Sequence, residues 1–329
     1  MNKTLVADVG GTKTVMALAA RQEKTVKLES LRRYSSRQYQ GFENILDNYL
    51  SHFPPVTISS LAVAVAGPVV NNRCRLTNLS MEIDGESLRR KTGFRRVILI
   101  NDLAAAGYGL DVMPSTSMQT IHQGSGERKG NRILISPGTG LGESIIHAVA
   151  GKYIPIASEG GHADFAPFDG ATERLWAFLK RNQSRVAVED CLSGPGIYNI
   201  FRFLLSESGI ELEENRRKEL ASDPGPKISR WAIEENDALS ISTVSLFLDI
   251  LAAEAGNMAL KAWSSGGVYI GGGIIPALLP LVDHQRFISV FSSKGIHRPH
   301  LERFPIYAVT DTDLPLYGAA QYISTLDTI

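Results

Sequence analysis

The sequence predicts an α/β protein with two lobes around a ligand cleft. Three observations predict it. Continuous apolar runs, Leu61–Ala66 and Val97–Ile100, alternate with segments of helical spacing, as in sheets buried on both faces. Two apolar strands, one in each half, run into similar turns, Asp8-Val-Gly-Gly-Thr12 and Ser136-Pro-Gly-Thr139. The length of 329 residues matches about two domains at roughly 100–200 residues each. Small ligands are most often bound in clefts between such lobes.

The elements follow in order. Leu5–Val9 is a short apolar strand, Gly10 to Lys13 a turn, and Thr14–Ala20 a second strand, so the chain opens on a hairpin. A third β-type stretch covers Val26–Tyr34. Phe42, Ile45, Leu46, Tyr49 and Leu50 have helical spacing, and Pro54-Pro55 stops that helix. The Leu61–Ala66 strand ends at Gly67-Pro68. A short polar helix (Glu86–Thr92) precedes the Val97–Ile100 strand, which closes on Asn101-Asp102. The order is β-β-β-α-β-α-β, with a partly antiparallel start.

The loop from Met113 to Gly130, rich in Ser, Gly and Gln, separates this unit from a second. There a strand at Arg132–Ile135, the loop Ser136–Gly142 and β-type segments through Ile156 precede helices at Ala171–Arg181 and Pro195–Leu205. The charged stretch Ser206–Asp237 reads as a solvated helical excursion without chemistry. A long apolar-rich helix, Ala238–Trp263, leads into a glycine-flanked strand, Gly266–Gly273. A strand at Ile306–Val309 and a helix from Leu314 to about Ser324 end the chain.

Composition removes several classes. With 34 basic and 34 acidic residues the net charge is zero, without the basic excess of a nucleic-acid binder. Two cysteines, Cys74 and Cys191, are too few for a disulfide framework or a four-Cys zinc site, and suit a reducing compartment. No segment is read as approaching the run of about 20 apolar residues that spans a bilayer. The N-terminus lacks the apolar stretch and cleavage site of a signal peptide, so a cytoplasmic location is expected. Glycine, 30 of 329 residues, is in mild excess over the usual ~7%, and half of these glycines fall in six short motif segments.

Those segments carry the candidate chemistry. In Asp8-Val-Gly-Gly-Thr12-Lys13 the glycines permit close approach of a phosphate, Thr12 offers a hydroxyl, and Lys13 a positive charge. Asp8 could hold Mg²⁺ through its water shell. An ordinary hairpin turn is the plainer alternative. Ser136-Pro-Gly-Thr-Gly-Leu-Gly142 has the same character but fits neither the P-loop nor the dinucleotide pattern. In Gly266–Gly273 the glycines either let a nucleoside lie on bare backbone or permit tight helix–strand packing. A carboxylate at the end of a buried strand, as in Asn101-Asp102, faces the crevice where α/β sheets bind ligands, and could accept a hydroxyl proton. Either residue could instead cap the helix that follows. Glu159 and His162, in Ser158-Glu-Gly-Gly-His162, suit the vicinal hydroxyls of a sugar, or form a plain loop. Glu189, ahead of Leu192-Ser-Gly-Pro-Gly196, is either a ligand carboxylate or part of a charged helix end.

Taken in order with Ala66-Gly-Pro68 and Leu76-Thr-Asn78, these motifs resemble those of the bacterial ATP-dependent glucokinases, of the sugar kinase, Hsp70 and actin superfamily. The resemblance runs from about residue 4 to about residue 324. It implies an actin-like ATPase (ribonuclease H-like) fold: a small α/β domain, residues 1–112, completed by a C-terminal helix at 312–329, and a larger α+β domain, residues 113–311. It implies ATP-dependent phosphorylation of glucose at the 6-hydroxyl, with ATP and Mg²⁺ as cofactors and a homodimer as the assembly. Asp102 then takes the hydroxyl proton, while Asn101, Glu159, His162 and Glu189 stand where the family binds glucose. Asp8, Val9, Gly10, Gly11, Thr12 and Lys13, with Gly138 and Thr139, correspond to its phosphate loops, and Gly272 and Gly273 to its adenosine loop. Two departures stand out. Thr77-Asn-Leu-Ser-Met81 lacks the aromatic residue often found there, which bears on sugar preference. No Cys-rich motif follows His162, so the zinc-containing repressor/kinase branch is not indicated and no zinc is expected.

The alternatives are a kinase for mannose or an N-acetylated amino sugar, a sugar-binding regulator, and an actin- or Hsp70-type ATPase. A regulator would need a DNA-binding module, for which no helix-turn-helix fits ahead of Asp8. A pure ATPase has no use for a polyol site.

Overall fold

A computed structural model describes residues 3–53, 58–76, 81–125 and 129–326. The Pro54-Pro55 stop, the Thr77 and Asn78 motif positions and the last three residues lie outside these. The chain forms two compact units, residues 1–117 with 153–157 and 311–329, and residues 118–152 with 158–310.

In the first unit, β1 (Lys3–Val9), β2 (Lys13–Gln22) and β3 (Thr25–Ser35) form the antiparallel start; β4 (Ile58–Val65) and β7 (Arg96–Asn101) complete the sheet. The order is β3-β2-β1-β4-β7, with β1, β4 and β7 parallel. Leu61 to Val65 are wholly buried, which explains the unbroken apolar run. Helix α1 (Phe42–Ser51) buries Phe42, Ile45, Leu46 and Tyr49. The expected element order omits one hairpin, β5 (Arg73–Leu76) with β6 (Met81–Asp84). Cys74, Leu76, Met81 and Ile83 alternate with exposed Arg73, Arg75 and Glu82, a period-two signal too short to stand out. Asp84 then caps α2 (Gly85–Thr92), accepting the amides of Glu86 and Ser87.

Helix α3 (Asp102–Gly109) starts directly from β7. It packs on the C-terminal helix, Leu314–Thr325, backbone against backbone. A Cβ at Gly318 would lie 1.5 Å from the Ala105 carbonyl oxygen, and one at Gly109 would lie 2.6 Å from that of Leu314. The last helix thus completes the first unit and fixes the helix that carries Asp102.

The second unit repeats the opening device. Strands β9 (Arg132–Pro137) and β10 (Leu141–Val149) form an antiparallel hairpin. Strand β11, Lys152–Ala157, belongs to the first unit in all but its first residue. β9 also pairs in parallel with β12 (Gly267–Ile270), which pairs in parallel with β13 (Ile306–Val309). β8 (Met118–His122), inside the segment read as loop from the sequence, adds antiparallel to β13. Its core side presents only Ile121, leaving little apolar pattern to read.

Helices α4 (Gly170–Lys180), α5 (Gly194–Ser208), α6 (Glu214–Glu219), α7 (Pro224–Glu234) and α8 (Ala238–Ala262) build the rest, with shorter helices after β12. Two expectations are corrected here. The charged stretch before α8 is not merely solvated, because Ile228, Trp231 and Ala232 of α7 are buried at helical spacing. Helix α8 has the length and composition of a membrane span, contrary to the reading that no segment does, yet 72% of its most apolar stretch is buried inside the protein. Its buried carboxylates have polar partners: Asp249 accepts Arg286 at 2.7 Å, and Glu254 accepts Asn257 at 2.9 Å.

Replacing Gly318 with Ala should force α3 and the last helix apart. A loss of about 1–3 kcal/mol is expected from overpacking, read as a lower urea midpoint. An unchanged midpoint would show that the two backbones do not depend on this approach.

Candidate functional site

In the first unit the strand register sets the site. Asp8 pairs across from Ala64, and Ala64 from Ile100; one step on, Val9, Val65 and Asn101 stand in line. The carboxyl ends of three parallel strands are therefore level, with Asp8 at one and Asn101-Asp102 at another. The half-buried Asp8 carboxyl is pushed up to about 7, chiefly by desolvation, then by the negative charges of Asp102 and Asp313, against the lowering effect of Lys13. Asp313, not anticipated from the sequence, is held by Arg33 at 2.7 Å in an ion pair that fixes the start of the last helix. Three carboxylates acting on one another favour a nearby cation. Among the described residues, however, no group of three or more His, Cys, Asp or Glu is arranged to grip a metal directly.

Asp8 leads into a tight turn in which the Gly10 amide donates to the Lys13 carbonyl at 3.0 Å. Buried Ser36 ties the turn down: its amide donates to the Thr12 carbonyl, and its hydroxyl to the Gly10 carbonyl at 2.9 Å. The Gly10 amide is thus engaged within the turn. Thr12 and Lys13 remain exposed at its tip.

The capping alternative falls to Asn101 of the Asn101-Asp102 pair. Asn101 Oδ1 accepts the amides of Leu103 and Ala104, making it the cap of α3, and its Nδ2 donates to the Gly67 carbonyl at 3.3 Å. Asp102 becomes the first helical residue, with Oδ1 accepting the Leu103 amide at 2.8 Å. Its carboxylate sits in the favourable field of a helix N-terminus.

In the second unit, loops far apart in the chain meet through glycine. The Gly194 amide donates to the Gly138 carbonyl at 2.8 Å, and the Gly271 amide to the Ile135 carbonyl at 2.9 Å. Gly272 has φ +87°, and a Cβ there would fall 2.2 Å from the Pro137 carbonyl oxygen. A Cβ on Gly225 of α7 would fall 2.8 Å from the Gly194 carbonyl oxygen. These loops and α7 enclose a cavity of about 570 Å³, lined by Gly138, Thr139 and Gly273, by the apolar Ile197, Ile233, Ile274 and Ala277, and by the polar Asp223, Arg230 and Glu234. That volume suits a small organic ligand. The α7 wall was missed from sequence, although the Ile228-x-x-Trp231-Ala232 spacing announced a packed helix.

Glu189 lies in a single helical turn, Val188–Asp190, and its Oε2 accepts the Leu141 amide at 2.7 Å. A Cβ at Gly140 would collide with that same oxygen at 2.4 Å, so the glycine loop and Glu189 are fitted to each other. Neighbouring Asp190 is structural: it accepts the Ala187 amide and Gln183 Nε2. Glu159 and His162 flank another single turn, in which the His162 amide donates to the Glu159 carbonyl at 3.1 Å, and both residues are exposed. Each unit therefore holds a cluster: Asp8 to Lys13 with Asn101-Asp102 in the first, and Gly138-Thr139, Glu159, His162, Glu189 and Gly272-Gly273 in the second.

Comparison with known proteins gives the family and the fold. A family model described as glucokinase matches residues 5–326. The glucokinase of Nostoc punctiforme is 35% identical over 97% of this chain and 98% of its own length. That of Synechocystis is 33% identical over 96% of both. The crystal structure of a glucokinase from an Antarctic psychrotroph has a TM-score of 0.85 at 28% identity, covering 99% of each chain. A ROK family glucokinase from Streptomyces griseus, solved with glucose and AMPPNP, shares the fold, with a TM-score of 0.67 at 20% identity over 98% of this chain and 99% of its own. On this full-length agreement, the chain belongs to the bacterial glucokinase family and has its two-lobed, actin-like sugar kinase fold.

Proposed function

We propose that the chain transfers the γ-phosphoryl group of ATP to the 6-hydroxyl of D-glucose, with Asp102 as the base. The observation that carries this is the level end of the first unit's parallel strands, where Asn101 caps α3 and leaves a half-buried carboxylate on its first residue. The hydroxyl proton passes to Asp102, the sugar oxygen forms its bond to the γ-phosphorus, and ADP leaves with the electron pair of the broken bond. The helix N-terminus holds the carboxylate in position before the proton arrives. Glu159, His162 and Glu189, with Asn101, are the candidate hydrogen-bonding partners of the sugar hydroxyls. Oε2 of Glu189 is already fixed by the Leu141 amide, which orients its carboxylate.

The second unit's cavity is the candidate nucleotide pocket, its isoleucines offering an apolar wall to a base and Gly138-Thr139 lying at its edge. Because the Gly10 and Gly138 amides are engaged within their own turns, phosphate contact falls to the exposed tips at Thr12, Lys13 and Thr139. Glycine in these turns serves close approach more than amide donation. Asp8 fits Mg²⁺ held through water, since a cation would relieve the repulsion that raises its proton affinity. When bound, Mg²⁺ offsets charge on the phosphates. Cytoplasmic location and a homodimer are further elements of this reading, resting on the family resemblance.

Substituting Asp102 with Asn keeps the cap and the shape but removes the base. The expected result is a kcat lower by about 10²–10⁴-fold with the glucose KM changed only a few-fold; near-native turnover would refute the assignment. In the same assay a screen of hexoses decides the acceptor, because a sugar turned over far better than glucose would replace it. Gly272→Ala should raise the KM for ATP by about tenfold or more, through left-handed strain and the Pro137 contact, with the glucose KM within about threefold. An unaltered ATP KM would separate this loop from the nucleotide.

A further inference from the structure

Beneath the Ser158–His162 turn lies a carboxylic acid with no role in the proposed phosphoryl transfer. Glu143, on β10, is 5% exposed. Its Oε1 has no hydrogen-bond partner, an arrangement that costs stability, and far more for the anion than for the neutral acid. Its Oε2 occupies the space a side chain at Gly160 would need, 2.1 Å from the position of a Cβ there. The main chain of the same residue anchors the turn. Ser158 Oγ donates to the Glu143 carbonyl at 2.8 Å and accepts the Gly160 amide at 3.2 Å. One residue away, Gly161 sits so close to Leu141 that a Cβ would fall 2.3 Å from its carbonyl oxygen. The turn that displays Glu159 and His162 is thus seated on Leu141 to Glu143, with the Glu143 carboxyl as its floor.

We propose that Glu143 is a positioning residue for sugar binding: its buried carboxyl sets the height of the Ser158–His162 turn, and loss of its proton loosens that turn's hold on glucose. The inference rests on the reading of Glu159 and His162 as sugar ligands. Its physical basis is local. The charges acting on Glu143 come from α8, where Glu254 opposes ionisation and Lys261 favours it; the turn above carries Glu159 and His162. Glu254 is itself buried and bound by Asn257, which also accepts Lys294 at 2.7 Å, so it has little freedom to move away. Burial, followed by Glu254, pushes Glu143 up to about 7. A neutral acid packs against Gly160 at a smaller cost, whereas an anion there is unsolvated and repelled by Glu254. The sign follows. A folded-state value raised above the ordinary one gives stability that is present at low pH and lost as pH rises through about 7.

The test compares wild type, Glu143→Gln, Glu143→Ala and Glu159→Ala in steady-state kinetics with ATP, Mg²⁺ and glucose at pH 6.5 and 8.5, alongside circular dichroism and melting curves. The wild-type glucose KM should rise at least about threefold between these pH values, with a smaller change in kcat. Glu143→Gln, which keeps the shape and cannot ionise, should hold a KM near the low-pH wild-type value at both pH values and melt higher than wild type at pH 8.5. Glu143→Ala should raise KM about fivefold or more at both. Where the alanine protein does not fold, the glutamine protein alone decides. A glutamine protein that keeps the wild-type pH dependence of KM overturns the proposal, because the two proteins share every other titratable group. Glu159→Ala separates the two readings. If it leaves glucose KM unchanged, the assignment of the turn as a sugar ligand fails. If it raises KM while neither Glu143 variant alters it, only the role of Glu143 fails.

Discussion

Around the second unit's cavity the main chain is drawn together at four places, three of which leave no room for a side chain. Gly272 lies against Pro137, Gly194 donates to Gly138, Gly225 lies against Gly194, and Gly140 makes room for the Glu189 carboxylate. Without these approaches the β9–β10 turn, the start of α5, the α7 wall and the loop after β12 would stand further apart, and the cavity they enclose would lose its shape. The modest excess of glycine is the compositional trace of this constraint. Conformational freedom is the lesser part of it: among the glycines of these contacts only Gly272 has a left-handed φ.

The first unit solves a different problem, that of holding carboxylates together. Parallel pairing of β1, β4 and β7 brings Asp8 and Asn101-Asp102 to the same level, and the last helix adds Asp313. Mutual repulsion is tolerated because each group has support: the α3 N-terminus for Asp102, Arg33 for Asp313, and Lys13 for Asp8. The helix that carries Asp102 is fixed in turn by glycine contacts with the last helix. A length of chain more than 200 residues downstream of Asp102 therefore determines where that carboxylate stands.

Much of this was legible in the sequence because the signals were local. Strands buried on both faces read as unbroken apolar runs, and Leu61 to Val65 are such a run. Asn101-Asp102 announced both a strand end and a helix cap, and the structure gives both roles to Asn101. What escaped was short, or depended on distant partners. The β5–β6 hairpin offers four alternating apolar residues across two strands, and β8 offers one buried side chain. Helix α7 was hidden by the charge around it, although Trp231 and Ile228 are buried. The floor residue Glu143 could not be read at all. An acidic residue in a strand normally marks a solvated face, and only its position beneath Gly160 and opposite Glu254 shows otherwise. Helix α8 was not read as long and apolar enough to span a bilayer, and its buried carboxylates, Asp249 and Glu254, prove to be paired within the core.

The glycine-built cavity and the paired strand ends together make one chemical claim, that phosphate from ATP is delivered to one hydroxyl of glucose. The most direct measurement is the identity of the product. Glucose isotopically labelled at C6 is incubated with the protein, ATP and Mg²⁺ and followed by nuclear magnetic resonance. The expected result is phosphorus coupling at C6, with ADP and glucose 6-phosphate accumulating in equal amounts. ADP released without a sugar phosphate, or phosphate found on another carbon, would contradict it.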